Sequence, residues 1–177
     1  MLLHAGVSAE DALPRGRSYP WYALKVRTRS EPVATAALRN RGYDAFYPSF
    51  REASRPGDAA KFVKKAAFPG YLFCRFDNRC KTPVLSSPAV EYIVSAGGAP
   101  AIIPDEEIES VRRAVEAGAR PSAYLAAGER VRVTHGPLKG LTGIVTIGGT
   151  AEQLILSVHL LQRSVAVRID RNQVAAL

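Results

Sequence analysis

The side chains able to do chemistry are few, and their spacing argues against a reaction centre. Cys74 and Cys80 are the only cysteines among 177 residues. A zinc site or a disulfide framework needs more ligands at shorter spacing. Cys74 alternates within an apolar strand pattern and reads as a core thiol, which suits the reducing cytoplasm. Glu106 and Glu107 are adjacent on a helix, so they diverge by about 100° at 3.6 residues per turn and do not form an acid–base pair. Gly97-Gly98 lacks the further glycine and the helix start of a phosphate-binding loop. His159 has no second metal-type residue at useful spacing and reads as a solvated strand residue. No nucleophile elbow and no metal cluster appear. The chain is expected to be neither an enzyme nor a cofactor protein.

What remains is chemistry of recognition. The formal net charge is +8, which favours an anionic partner. The longest basic run is Lys64-Lys65, so there is no polyanion-clamping tail. Phe68-Pro69-Gly70-Tyr71-Leu72-Phe73 places three aromatics around a Pro-Gly pair, where a partner can approach the backbone closely. Such a strand suits a groove for an amphipathic helix.

These residues need elements to position them. Residues 1–19 read as a flexible leader, with Pro14, Gly16 and mixed charge. No apolar run approaches the roughly 18–20 residues of a membrane span. Residues 19–26 read as a strand. Ser30, Glu31 and Pro32 open a helix that Gly42 ends. Residues 43–50 return to strand, and 51–65, with Pro56-Gly57, read as a loop or a flexible hairpin tip. A strand covers 66–76, a short helix 82–87, a strand 90–94, a turn Gly97-Gly98 and a short strand 101–103. Asp105 is expected to cap the next helix, whose acids lie early and whose arginines lie later, as the helix dipole favours. Ile108, Val111 and Val115 share one face, and Gly118 ends it.

Beyond residue 118 the pattern changes. Residues 119–127 are aperiodic and read as a linker. Strands follow at 129–134, 141–147, 153–161 and 164–169. Gly136-Pro137-Leu138-Lys139-Gly140 forms a tight loop, because glycine accepts positive φ and proline presets a turn. The predicted class is α+β: an antiparallel sheet with covering helices over 20–118, then a small β-barrel over 128–177.

The order of these motifs resembles the NusG family of transcription elongation factors, with an NGN-type domain followed by a KOW-type domain. The resemblance rests on Trp21-Tyr22, on 68–73, on Gly97-Gly98-Ala99-Pro100-Ala101-Ile102-Ile103-Pro104 and on 128–145. It implies a cytoplasmic, monomeric factor in transcription elongation and antitermination. The N-terminal domain would bind the clamp of RNA polymerase, bridge its two large subunits and suppress pausing. The C-terminal domain would recruit a small-subunit ribosomal protein or the termination factor Rho. Carried over by motif, the clamp contacts are Tyr22, Phe68, Pro69, Tyr71, Phe73 and Ile93. Arg27, Arg29, Arg75, Arg79 and Lys81 would lie near the non-template DNA strand. Leu160 and Leu161 would meet the second partner on an exposed strand edge, one of the pair pointing outward. The leader and Pro100 to Pro104 resemble operon-specific RfaH-like and UpxY-like antiterminators. The region of their His-Thr-rich element here reads Asn78-Arg79-Cys80-Lys81-Thr82-Pro83. The alternative is a ribosome- or RNA-binding KOW protein that does not touch polymerase. Six Lys/Arg, three acids and a single aromatic, Tyr124, over 121–177 give that alternative little to stack bases on.

Overall fold

A computed structural model describes residues 19–54, 62–122, 128–148 and 151–177 of the chain. The expected leader, apart from Tyr19, lies outside the described residues, as do Pro56-Gly57 and 123–127 of the expected linker. The order of elements is β1 (Trp21–Val26), α1 (Glu31–Asn40), β2 (Asp44–Phe46), β3 (Ser49–Ala53), β4 (Phe62–Ala66), β5 (Tyr71–Arg75), α2 (Thr82–Leu85), β6 (Val90–Ile93), β7 (Ser95–Ala96), β8 (Ala99–Pro100), β9 (Ile102–Ile103), α3 (Asp105–Glu116), β10 (Arg120–Ser122), β11 (Glu129–Val133), β12 (Thr142–Gly148), β13 (Ala151–Val158), β14 (Arg163–Arg168) and β15 (Val174–Ala176).

The N-terminal sheet runs β2-β5-β1-β6, with β9 also paired to β1. Its central strands obey a period of two, and each half of the pattern feeds a different layer. Tyr22, Leu24 and Val26 of β1 and Leu72 and Cys74 of β5 pack with Ala34 and Leu38 of α1. Trp21, Ala23 and Phe73 point the other way, towards Ile108, Val111 and Ala114 of α3. Both faces are covered, so both halves of the alternation are apolar.

Several local expectations change. The continuous strand expected over 66–76 is broken: β4 ends at Ala66, residues 67–70 turn, and β5 begins at Tyr71. Residues on both sides of Pro56-Gly57 pair as the β3–β4 hairpin, from Ser49 opposite Ala66 to Ala53 opposite Phe62. Of the two readings of 51–65, the hairpin holds for its described ends, where 51–53 and 62–65 are strand: Phe50, Glu52 and Val63 supply a weak alternation that the charged residues obscure. Asp105 does not cap α3; Pro104 holds the cap position. The Asp105 carboxylate is instead taken by Arg75, at 2.8 Å. The linker begins as a strand, because Ala119 is fully buried and Arg120–Ser122 pairs with β14.

The C-terminal sheet is antiparallel in the order β10-β14-β13-β12-β11-β15. It does not close into the expected barrel. Closure would need its two end strands to meet. Here β10 occupies the outer edge of β14, and β15 occupies the outer edge of β11. The glycine loop behaves as its residues dictate: Gly136 and Gly140 take φ of +83° and +88°. The Gly140 N–H then donates to the Val133 carbonyl at 2.8 Å, and Leu138 turns into the core.

The two sheets share one apolar cluster, with α3 between them. Ile108, Val111 and Ala114 belong to the same buried group as Val131, Leu141, Leu156 and Val158. Polar contacts pin the ends of α3. Arg113 Nη2 donates to the carbonyls of Pro137 (2.8 Å) and Lys139 (2.9 Å). Glu107 accepts from the His159 backbone N–H at 3.2 Å and lies 2.9 Å from its Nδ1. His159 is thus exposed but engaged, and it sits in a 3-10 turn (His159–Leu161) rather than in a strand.

Candidate functional site

The recognition strand begins in a turn. The Tyr71 N–H donates to the Phe68 carbonyl at 3.1 Å, and Gly70 takes φ of +82°. The Gly70 N–H donates to Oε1 of Glu31 at 2.6 Å. Glu31 is only 2% exposed, so this bond satisfies a carboxylate that burial would otherwise penalise. A side chain at Gly70 would collide with the Lys25 ammonium. The same ammonium lies 5.2 Å from the centre of the Tyr71 ring. The turn therefore fixes Tyr71 at the start of β5, half-exposed beside exposed Pro69.

The other expected contacts are interior. Phe68, Phe73, Tyr22 and Ile93 are 1%, 0%, 5% and 8% exposed. Phe68 meets Phe73 edge-to-face at 6.2 Å, and Tyr22 packs on Phe76 at 4.6 Å. They sit on the two central strands or against them, where each face is covered. Burial, with a smaller effect of Asp77, raises the ionisation of the Tyr22 phenol above its usual range. Of the six, Pro69 and Tyr71 are the side chains left at the surface.

The basic candidates divide as well. Arg27, Arg29 and Lys81 are exposed. Arg75 pairs with Asp105 at 2.8 Å and stacks on Trp21 at 4.8 Å. Arg79 is exposed but pairs with Asp77 at 2.7 Å. Leu160 and Leu161 are both half-buried against the core, so neither is the outward leucine expected of a strand. Strand β13 is flanked by β12 and β14, so no edge is open there. Gln162 in the left-handed conformation (φ +51°) turns the chain directly into β14.

No group of three metal-type side chains occurs among the described residues, and no helix among them is long and apolar enough to cross a membrane. Cys74 is buried. Burial first, and the nearby Asp44 carboxylate second, push its thiol up to about 12. The thiolate is the reactive form. Iodoacetamide at pH 8 is therefore expected to label exposed Cys80 alone in the folded chain, and both thiols in guanidinium. Intact mass checks this; rapid double labelling of the native chain would contradict the buried placement.

Comparison with known proteins agrees with this arrangement. The model of the family described as "NusG: Transcription termination factor nusG" matches residues 19–112. The chain is 29% identical over 183 residues to the Transcription termination/antitermination protein NusG of Thermus thermophilus, covering 89% of this chain and 98% of that protein. It is 25% identical over 171 residues to the corresponding protein of Campylobacter jejuni, covering 89% and 97%. Among solved structures, the one described as "Domain interaction in Thermotoga maritima NusG" superposes with a TM-score of 0.52 at 20% identity, over 88% of this chain and 95% of that one. That likeness shows the fold: a sheet-and-helix domain followed by a second sheet domain. With its matched region spanning the whole N-terminal sheet and α3 as far as Arg112, the chain belongs to the NusG family of non-catalytic transcription factors.

Proposed function

We propose that the chain binds the clamp of RNA polymerase through its N-terminal domain and acts in transcription elongation and antitermination. The observation that carries this reading is the family match over 19–112, within which the 68–71 turn leaves Pro69 and Tyr71 at the surface. A rigid turn with a half-exposed ring is suited to an apolar helix tip, since the ring gives contact area at small entropic cost. Phe68 and Phe73 lie beneath and hold that ring's strand in place. Tyr22 and Ile93 support it from the neighbouring strands. Bridging the two large subunits would hold the clamp closed and suppress pausing.

The C-terminal sheet would supply the second contact, a small-subunit ribosomal protein or Rho. With β13 internal, Leu160 and Leu161 would meet that partner from the turn after β13, not along a strand edge. The exposed Arg27, Arg29 and Lys81, with Arg75 and Arg79, would lie towards the non-template DNA. Within the family, Pro100 to Pro104 supports the operon-specific branch.

The test is capture of core RNA polymerase by the full chain. Wild type is expected to bind. Tyr71→Ala is expected to weaken binding by about tenfold or more, the scale of one anchoring aromatic. Lack of binding by folded wild type would overturn the reading and favour a ribosome or RNA partner.

A further inference from the structure

A groove of about 610 Å³ opens between the β3–β4 hairpin, the end of β2 and the last turns of α3. Its floor is aromatic: Phe46, Tyr47 and Phe50. Its rim is cationic: Arg39, Arg51, Lys64, Arg112 and Arg120, against the single carboxylate of Glu116. Each ring carries a cation. The Arg112 guanidinium lies 4.6 Å from the centre of Phe46, that of Arg120 4.7 Å from Phe50, and the Lys64 ammonium 5.4 Å from Tyr47. Two more bonds fix the heads: Arg120 Nη1 donates to the Arg51 carbonyl at 2.7 Å, and Arg39 Nε to the Ala45 carbonyl at 2.7 Å.

These charges are not spent internally. Among the described residues, Arg112 alone of the five has an ion pair, a long one to Glu109 at 3.9 Å. Its Nε is buried without a hydrogen-bond partner. By contrast Lys65, which points away from this groove's lining, is neutralised by Glu52. A cation stacked on a ring keeps its remaining N–H groups free and has already lost much of its rotamer freedom. That is the preorganised state that recognises phosphate.

We propose that this groove binds a single-stranded nucleic acid, with phosphates on the arginines and lysine and bases against the ring floor. A protein helix is the competing occupant, and the lining argues against it. Val115 is the only aliphatic side chain there, so an amphipathic helix finds no ladder of apolar pockets for its anchors. Phosphates at regular intervals and planar bases match a charged rim over aromatic rings. The groove is separate from the Pro69-Tyr71 turn, and the inference does not rest on the polymerase reading.

The test uses the full chain and no polymerase. A fluorescein-labelled oligodeoxythymidine of about 12 nucleotides, within the usual footprint of such sites, is titrated by anisotropy between about 50 and 200 mM salt. Five neutralised phosphates predict a log–log salt slope of about −3.5, a loss of roughly a hundredfold over that range. The double variant Arg51→Gln, Lys64→Gln removes two cations whose side chains make no hydrogen bond or ion pair among the described residues, so its thermal melt should stay close to wild type. Its slope is expected to be shallower by about 1.4. Arg163→Gln with Arg168→Gln, two exposed arginines of the second sheet outside the groove, should leave the groove-dependent part of binding in place. No binding, or a slope unmoved by the groove variant, overturns the proposal. So does equal loss from both double variants, which would mark unspecific attraction to a basic chain. Stronger retention of an acidic helical peptide than of the oligonucleotide would assign the groove to a protein and overturn it too.

Discussion

Phe73→Ala is expected to cost about 3–5 kcal/mol of stability, the range for emptying a fully buried phenyl site. The ring is 0% exposed and lies between Phe68 at 6.2 Å and Phe46 at 6.3 Å. Strand β5 is paired on both sides, by β1 and β2, so the walls of the cavity cannot collapse far. Tyr71→Ala, two residues earlier on the same face, should cost only about 1–2 kcal/mol, because the ring is half in water and its burial is correspondingly partial. Urea unfolding of both variants measures the difference, with midpoints compared at constant slope. A Phe73→Ala midpoint within about 1 kcal/mol of wild type would contradict the packing described here. The pair also governs how binding experiments are read. A Phe73 variant that loses polymerase reports on lost packing beneath the site, whereas a Tyr71 variant reports on the surface.

Gly143→Ala should destabilise the C-terminal sheet by about 1–3 kcal/mol, at the upper end of ordinary overpacking. A methyl group there would stand 2.6 Å from the Ile155 carbonyl oxygen, with Leu154 Cδ1 and Leu156 Cδ2 at 3.0 and 3.1 Å. The leucine tips can rotate. The carbonyl belongs to the backbone of β13, which is held on both sides by β12 and β14, and cannot. Gly140→Ala isolates the other reason for glycine. Its φ is +88° and nothing lies within 4 Å of the added carbon, so the cost is backbone strain alone, about 1–2 kcal/mol. Chemical denaturation distinguishes the two sites. If Gly143→Ala is neutral while Gly140→Ala is not, the close approach of β12 and β13 is wrong.

Much of the first domain is legible in its residues. Trp21 to Val26 and Tyr71 to Phe73 announce strands, Ser30-Glu31-Pro32 and Gly42 bracket α1, and Ile108 and Val111 mark the buried face of α3. Period and turn chemistry are local, so they can be read without the fold. The β3–β4 hairpin is only one of two readings of 51–65, because its outward residues are charged and its pairing partners lie across Pro56-Gly57. Barrel closure is not legible for a related reason. Strand positions are local, but closure depends on which edges meet, and β10 and β15 are only three residues each.

The candidate surface shows the same division. Residue types alone single out 68–73 as a stretch that a partner could approach, but they read it as part of one strand over 66–76; the turn at Gly70 is seen only in the structure. Which of Phe68, Tyr71 and Phe73 faces water is not legible either, because that depends on α3 and the second sheet covering the face. The basic groove was invisible in sequence. Its rim comes from α1, the β3–β4 hairpin, α3 and the entry to β10, no two of its arginines are neighbours, and its aromatics stand in a stretch that reads only as strand. By itself the sequence determined most elements of the first domain, the order of a sheet-and-helix domain before a second sheet, and the family. Only the tertiary structure decided which aromatics are core, that β13 is internal, and that α3 is shared by both sheets. Those outcomes depend on contacts between residues far apart in the chain, and alternation gives two faces to every strand without saying what will cover either one.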